Sequence, residues 1–323
     1  MLRKFSYRRA TSIQAAADAA TRPGAYVLAG GTDLLGCLRD GVFSADTVVS
    51  ISGIKALKGI SARPGGGLRI GALTTLSEVA ADRQVLNAYP VLAQAAAAAA
   101  SPQLRNQGTI GGNICQRPRC WYFRGDFHCL RKGGDTCFAA ASESQFHCIF
   151  GGAPCFIVHP SDTAPALVAL DARVSIAGAK GTRTIPLASF FVLPAANVLK
   201  ENVLLAGEVV TEILLAPPPA GAHSMYRKVR ERGAFDFALV GAAIVVAMAD
   251  GKVRTARIVL SGVAPVPWRC AEAEKVLVGK SLDAATVAQA AAAAVKDATP
   301  LAKNEYTVPL TRGVLEESLL ALA

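Results

Sequence analysis

The sequence of 323 residues has little of what would assign it to several common classes. No apolar run approaches the roughly 18 residues that a membrane-spanning helix needs, so we expect no membrane span. Hydrophobic residues make up 52% of the chain, which excludes a disordered protein. Aromatic residues make up only 6% and are not interleaved with basic ones, so the net charge of +10 does not indicate nucleic-acid binding.

Two common nucleotide-binding motifs are also missing. The chain has no GxxxxGK[ST] phosphate loop and no GxGxxG after a first strand, which argues against a P-loop NTPase and a Rossmann dinucleotide site. It does have Gly30-Gly31-Thr32-Asp33 after a predicted strand at 25–29, and a second small-residue turn at 108–113. Consecutive backbone N–H groups in such turns can bind phosphate, and two turns suit a diphosphate ligand. Two ordinary turns remain the alternative.

The eight cysteines lack the CxxC pairs that zinc knuckles usually show. Six of them fall within residues 115–155, together with or beside three of the four histidines. A disulfide scaffold would be short and secreted, which does not fit a chain of this length. The pattern leaves an iron–sulfur cluster, a zinc site or buried thiols open and favours the first, because a long loop can wrap a cluster. Residues 117–154 have no periodicity, so a bound group is expected to order them.

Short apolar strands alternate with helices along the rest of the chain, which predicts an α+β protein. The proline-rich stretch at 214–221 is the best boundary signal and predicts two domains, residues 1–219 and 220–323. His159-Pro160-Ser161-Asp162 precedes a predicted apolar helix at 164–171. Ser161 or Asp162 would serve as its N-cap. Alternatively, Asp162 would bind a ribose hydroxyl.

Five segments in order resemble the FAD-binding subunit of xanthine dehydrogenase-type molybdenum hydroxylases. They are VLAGGTDLL (27–35), LRNQGTIGGNICQ (104–116), HPSDTAPALVALDA (159–172), YRKVRERGAFDFALVGAA (226–243) and SGVAPVPWRCAEAE (261–274). The segment CWYFRGDFHCLRKGGDTC (120–137) resembles the branch with an extra [4Fe-4S] cluster, which includes aldehyde oxidoreductases and 4-hydroxybenzoyl-CoA reductases.

The resemblance implies a fold and a flavin site. The fold would be a p-cresol methylhydroxylase-type FAD-binding domain with an iron–sulfur loop inserted at about 115–155, followed by a smaller domain of the CO dehydrogenase flavoprotein type. Lys228 would lie near the flavin ring, where a positive charge stabilises reduced, anionic flavin. The implied FAD-binding residues are Tyr26, Val27, Leu28, Ala29, Gly30, Gly31, Thr32, Asp33, Leu34, Thr109, Gly112, Asn113, Asp162 and Lys228.

The resemblance also implies the ligands of the [4Fe-4S] cluster, which would be Cys120, Cys129, Cys137 and Cys155. It leaves out Cys115 and Cys148. No residue is expected to be catalytic towards the organic substrate, because the chain contains no molybdopterin-binding part.

The implied function is electron transfer. Electrons would pass between the [2Fe-2S] clusters of a small partner subunit and an external acceptor through FAD, in a heterotrimer (or its dimer) with a molybdopterin-binding large subunit. Aldehyde oxidation is favoured, and a 4-hydroxybenzoyl-CoA reductase-like complex is the alternative. A zinc-stabilised binding module without catalysis is the alternative from another class. We expect a cytoplasmic protein, because Gln14 and Asp18 interrupt what would be an apolar signal core; a partner's twin-arginine signal would instead carry it to the periplasm.

Overall fold

The computed structural model describes residues 2–323 and begins with a small parallel sheet. Its strands lie in the order β1–β3–β2, and helices α1 and α2 make the crossovers that parallel strands require. The elements are β1 (Ser6–Arg9), α1 (Ile13–Ala20), β2 (Ala25–Leu28), α2 (Leu34–Arg39) and β3 (Thr47–Ser50). The turn between β2 and α2 therefore lies at the carboxyl edge of this sheet.

A second, antiparallel sheet has the strand order β4–β5–β8–β6–β7. Its strands are β4 (Ile60–Ala62), β5 (Leu68–Gly71), β6 (Arg173–Gly178), β7 (Gly181–Pro186) and β8 (Val209–Leu215). The seven helices between β5 and β6 are α3 (Leu76–Ala81), α4 (Arg83–Ala88), α5 (Pro90–Ala98), α6 (Pro102–Gln107), α7 (Ile110–Ile114), α8 (Trp121–Arg124) and α9 (Thr163–Ala169). Several of these helices and the sheet share the largest buried apolar cluster, which also includes residues of the third sheet.

The third sheet is antiparallel, in the order β12–β11–β10–β9, and its helices follow in sequence. The elements are β9 (Ala222–Val229), β10 (Val240–Ala249), β11 (Lys252–Ser261), β12 (Trp268–Arg269), α10 (Ala271–Leu277), α11 (Ala284–Val295) and α12 (Thr307–Leu320). A second apolar cluster joins β10 and β11 to these three helices. The predicted domain boundary near residue 219 falls between β8 and β9.

The cysteine loop, residues 115–155, has little regular structure but is firmly docked. Besides α8 it contains two short 3-10 turns, Leu130–Lys132 and Phe138–Ala140. Its carboxyl-terminal part joins the core of the third sheet, since Ile149 and Phe150 are buried there and Phe150 stacks on Trp268. Asn304 Nδ2 donates a 2.7 Å hydrogen bond to the carbonyl of His147. The loop is thus held by the carboxyl-terminal elements.

The α+β prediction is confirmed, and the strand predicted at 25–29 is β2. Ser161 caps α9 as predicted, because its Oγ accepts a 2.9 Å hydrogen bond from the amide of Ala164, whereas Asp162 makes no capping bond. No helix of residues 2–323 combines the length and the apolar character that crossing a bilayer demands.

Candidate functional site

A cavity of about 680 Å³, here the large cavity, opens where the first sheet meets the helices that follow β5. Its size is within the range of cofactor-binding clefts. The walls come mostly from four stretches of the chain, which are residues 25–34, 99–117, 204–210 and 232–237. The two small-residue turns predicted from the sequence lie in the first two of these stretches, so the fold brings them to one site.

The two turns touch directly. Gln107 Nε2 donates a 3.1 Å hydrogen bond to the carbonyl of Gly30. A Cβ atom on Gly30 would lie 2.0 Å from the carbonyl oxygen of Gln107, and Gly31 has a φ of +76°. Neither position accepts a larger residue without a backbone shift. The pair of glycines therefore permits the close approach of two backbone segments at the cavity wall.

The second turn is fixed by hydroxyl groups. Thr109 caps α7, with its Oγ1 accepting a 3.2 Å hydrogen bond from the amide of Gly112. The side-chain oxygen of Asn113 accepts hydrogen bonds from Ser161 at 2.5 Å and Thr163 at 2.6 Å. Because both lone pairs of that oxygen are used, the carboxamide offers a ligand only its NH2 group.

Asp33 ties the first turn to the cysteine loop. Its carboxylate accepts hydrogen bonds of 2.7 Å from the amide of Arg117 and 2.7 Å from Arg124 Nη2, and Arg119 Nη2 lies 3.0 Å away. Asp33 lines the large cavity, but both of its carboxylate oxygens already contact these three arginines. The position of the first turn and that of the cysteine loop are therefore coupled.

Asp162 forms a buried ion pair at the cavity wall. Lys228 Nζ lies 2.8 Å from Asp162 Oδ2, with 3% and 7% of the two side chains exposed. Tyr226 OH donates a 2.7 Å hydrogen bond to Asp162 Oδ1. Burial raises the pKa of Asp162, and Lys228 and Tyr226 oppose that shift. Removing one partner of such a pair leaves a buried charge and typically costs about 3–5 kcal/mol.

Most of the predicted flavin residues line the large cavity. Those that do are Tyr26, Val27, Ala29, Gly30, Gly31, Thr32, Asp33, Leu34, Thr109, Gly112, Asn113 and Asp162. Leu28 instead packs against the core of the first sheet. Lys228 does not line the cavity but forms an ion pair with Asp162, which does. The large cavity is also lined by Cys37, Cys115, Leu204 and the loop at 232–237, which were not among the predicted flavin residues. Cys115 and this loop lie within the segments 104–116 and 226–243 that carry the resemblance, whereas Cys37 and Leu204 lie outside all five segments.

The four predicted ligands Cys120, Cys129, Cys137 and Cys155 line one small cavity inside the loop, here the cysteine cavity. They sit at element boundaries, since Cys120, Cys129 and Cys137 each immediately precede α8 or a 3-10 turn. The other side chains that line the cysteine cavity are apolar or aromatic, apart from His147 and Arg131. His147 Nε2 lies 3.3 Å from Cys120 Sγ.

The environments of the four thiols differ. A hydrogen bond from Cys155, assisted by the amides of Phe156, Ala139 and Ala140, lowers the pKa of Cys137 to about 6 despite its burial. That same bond, together with burial, raises the pKa of Cys155, and the charge and a hydrogen bond of Arg131 oppose the shift. Burial raises the pKa of Cys120 to about 11, although backbone amides oppose the shift. Backbone amides of the loop thus favour the thiolate forms of Cys120 and Cys137.

The remaining cysteines of the loop lie elsewhere. Cys115 lines the large cavity, and burial raises its pKa to about 12. Cys148 is fully buried and lines neither cavity. All eight cysteines are free thiols in the described chain. Across residues 2–323, no three histidine, cysteine or acidic side chains converge tightly enough to hold one metal ion.

Comparison with known proteins agrees with this architecture. Residues 3–216 match the family described as "FAD binding domain in molybdopterin dehydrogenase", and residues 224–322 match "CO dehydrogenase flavoprotein C-terminal domain". The aldehyde oxidoreductase FAD-binding subunit PaoB of Escherichia coli K12 is 39% identical over 278 residues, which are 84% of this chain and 86% of PaoB. The xanthine dehydrogenase FAD-binding subunit of Escherichia coli O157:H7 is 28% identical over 98% of this chain and 96% of its own length.

A solved structure of carbon monoxide dehydrogenase from Hydrogenophaga pseudoflava superimposes with a TM-score of 0.80 at 26% identity, covering 100% of this chain and 98% of the other. The family matches span nearly the whole sequence, and the glycine-rich turns that they contain form the wall of the large cavity. The chain therefore belongs to the FAD-binding subunits of the molybdopterin dehydrogenases, the xanthine dehydrogenase-type molybdenum hydroxylases.

Proposed function

We propose that this subunit passes electrons between the [2Fe-2S] clusters of a partner and an external acceptor through FAD, in a molybdenum-dependent aldehyde oxidoreductase. The observation that carries the proposal is the large cavity, in which 12 of the 14 expected flavin residues meet. The choice of aldehydes rests on the likeness to PaoB, an aldehyde oxidoreductase subunit. The partners would be a molybdopterin-binding large subunit and a [2Fe-2S] small subunit.

The residues of the large cavity fit FAD. When bound, FAD would supply a carrier that takes up and releases one or two electrons. The backbone amides around Gly30 and Gly31 would bind the pyrophosphate, because no side chain blocks them. Asn113 would donate through its NH2 group, since its oxygen is already used. Asp162 would hold a ribose or ribityl hydroxyl, with Lys228 and Tyr226 fixing its orientation.

The donor set of the cysteine cavity supports the proposal of a [4Fe-4S] cluster. Four cysteines line one small cavity, and the cysteine loop otherwise lacks the regular structure that would hold its shape. When bound, the cluster would supply a one-electron carrier. Cys120, Cys129, Cys137 and Cys155 would ligate it as thiolates, and the amides beside Cys120 and Cys137 would donate to their sulfurs. Such N–H groups stabilise negative charge on sulfur.

The assembled complex tests the proposed activity. After anaerobic purification with both partners, it is mixed with an aromatic aldehyde or with 4-hydroxybenzoyl-CoA and a reductant, and flavin absorbance near 450 nm is followed. We expect the aldehyde to bleach the flavin and the thioester to remain unchanged. Turnover of the thioester with no bleaching by aldehydes would favour the reductase-like alternative. A colourless protein that contains zinc and no flavin would contradict the proposal altogether.

A further inference from the structure

The guanidinium of Arg131 is enclosed in the wall of the cysteine cavity, with only 1% of the side chain exposed. Arg131 lies in the 3-10 turn directly after Cys129. Its Nη1 donates to Glu201 Oε1 at 2.8 Å and to the carbonyl of Lys200 at 3.3 Å. Its Nε and Nη2 are buried and have no oxygen or nitrogen acceptor in residues 2–323. Three of its five N–H groups therefore have no oxygen or nitrogen acceptor.

Unused buried donors on a charged group are rare, because each forfeits the hydrogen bonds that it made to water. Here the group shares a cavity with four cysteine side chains. Among the described residues that line this cavity, Arg131 alone carries a permanent positive charge. The arrangement points to an anion between the thiols that accepts from Arg131.

Glu201 holds Arg131 without cancelling its charge. Glu201 is 7% exposed, and its second oxygen lies 2.9 Å from Arg117 Nε. Two guanidinium groups thus share one carboxylate, which leaves the group of three with a net charge of +1. Arg117 is itself fixed through its amide to Asp33, at the wall of the large cavity. The position of Arg131 is therefore set from outside the cysteine loop.

We infer that Arg131 is a positioning residue for the cluster in the cysteine cavity, where its unused N–H groups donate to sulfur and its charge raises the reduction potential. This inference rests on the proposed function. A cluster held by four thiolates is an anion that becomes one unit more negative on reduction. A nearby cation with N–H donors therefore stabilises the reduced form more than the oxidised form. Glu201 opposes this effect, since its negative charge is paired with the same guanidinium although Glu201 does not line the cysteine cavity.

The opposite charges of Arg131 and Glu201 give the test. The complete complex is titrated anaerobically with redox mediators while its iron–sulfur signals are followed by electron paramagnetic resonance and its iron is counted. The signal that is missing from Cys129→Ala identifies the cluster of this chain. We expect Arg131→Met to shift the midpoint of that signal to more negative potential, Arg131→Lys to shift it less, and Glu201→Gln to shift it to more positive potential. Arg269→Met, in a bidentate pair with Glu274 away from the cavity, is the control and should leave the midpoint unchanged.

Opposite shifts in the Arg131 and Glu201 variants would separate an electrostatic role from a structural one, because disrupted packing has no reason to follow the sign of the charge. A wild-type midpoint in Arg131→Met with its iron retained would overturn the inference. If Arg131→Met loses its iron, Arg131→Lys and Glu201→Gln decide, and wild-type midpoints in both would overturn it. Absence of the signal from the wild-type complex would instead contradict the proposed cluster.

Discussion

Gly30 illustrates how a single residue limits what the site can contain. Its missing side chain permits contact with the backbone of Gln107, so the two turns form one continuous wall. Any Cβ there would push the turns apart, and the amides of the first turn would move relative to those of the second. Ligand affinity is therefore expected to depend on this position more than folding does.

We predict that Gly30→Ala weakens FAD binding at least about tenfold, which corresponds to about 1.4 kcal/mol. The reason is the 2.0 Å approach of the new methyl group to the carbonyl of Gln107. Flavin fluorescence during titration of the flavin-depleted subunit with FAD measures the change. Gly313→Ala, in helix α12 with open space around it, is the control and should leave FAD affinity unaltered. Equal affinity of Gly30→Ala and the wild type would contradict the role of the turn.

His159 gives a prediction about pH at the same scale. It is buried beside Phe191, and burial lowers its pKa to about 4 from an ordinary value of 6.5. Between pH 6.5 and 4, His159 is therefore protonated in the unfolded chain but neutral in the folded chain. The free energy of unfolding consequently decreases as the pH falls from about 6.5 to 4. Between pH 7 and pH 5 this loss amounts to about 2 kcal/mol for one such group.

Urea unfolding of His159→Gln at the two pH values measures that loss. The variant should lose about 2 kcal/mol less of its free energy of unfolding than the wild type between pH 7 and pH 5. His223→Gln, at an exposed position on β9, is the control and should follow the wild type. The prediction fails if His159→Gln and the wild type show the same pH dependence.

We expect the order of the cysteine loop to depend on the proposed cluster. It contains one short helix and two 3-10 turns, and its aromatic side chains surround the thiols. Its two ends are fixed, by Asp33 near the start and by the core around Ile149 and Phe150 near the finish. Between these anchors the backbone has little regular structure, and the stretch is held by side chains, among them the buried pair of Arg131 with Glu201 and the aromatic side chains around the thiols.

We predict that Cys129→Ala loses the iron of this chain and exposes residues 117–154 to proteolysis, since ligation supplies the free energy that orders the loop. Cys148→Ala is the matched control, because Cys148 is buried in the same loop but lies outside the cavity. It should retain its iron and its protease resistance. Iron analysis and limited trypsin digestion compare the two variants, and full iron content in Cys129→Ala would refute the ligand assignment.

The glycine-rich turns and their neighbouring strands could be predicted from the sequence, because turn chemistry is local. The four thiols of the cysteine cavity were found through resemblance, since their spacing alone also allowed zinc. The sequence did not indicate that three arginines would contact the carboxylate of Asp33, because these arginines come from the non-periodic loop. The loop at 232–237 joins the cavity only after the third sheet has packed against the rest, which local patterns cannot foresee.

At the scale of the whole molecule, a continuous series of contacts connects the large cavity with the cysteine cavity. Arg131 in the cysteine cavity and Arg117 both form ion pairs with Glu201, and the backbone amide of Arg117 donates to Asp33 at the large cavity. The carboxyl-terminal elements contact both sites. Lys228 on β9 forms an ion pair with Asp162 at the large cavity, and Asn304 donates a hydrogen bond to the carbonyl of His147 in the cysteine loop. Both cofactors would thus be held by contacts that cross between the two family-matched parts of the chain.

The measurement that tests this account most directly is the combined quantification of flavin, iron and acid-labile sulfide in the anaerobically purified complex. The account predicts about one FAD and about four irons for this chain, beyond the irons of the partner's [2Fe-2S] clusters. Flavin without the additional iron would contradict the cluster and leave the loop's cysteines structural. Absence of both flavin and additional iron would contradict the central claim.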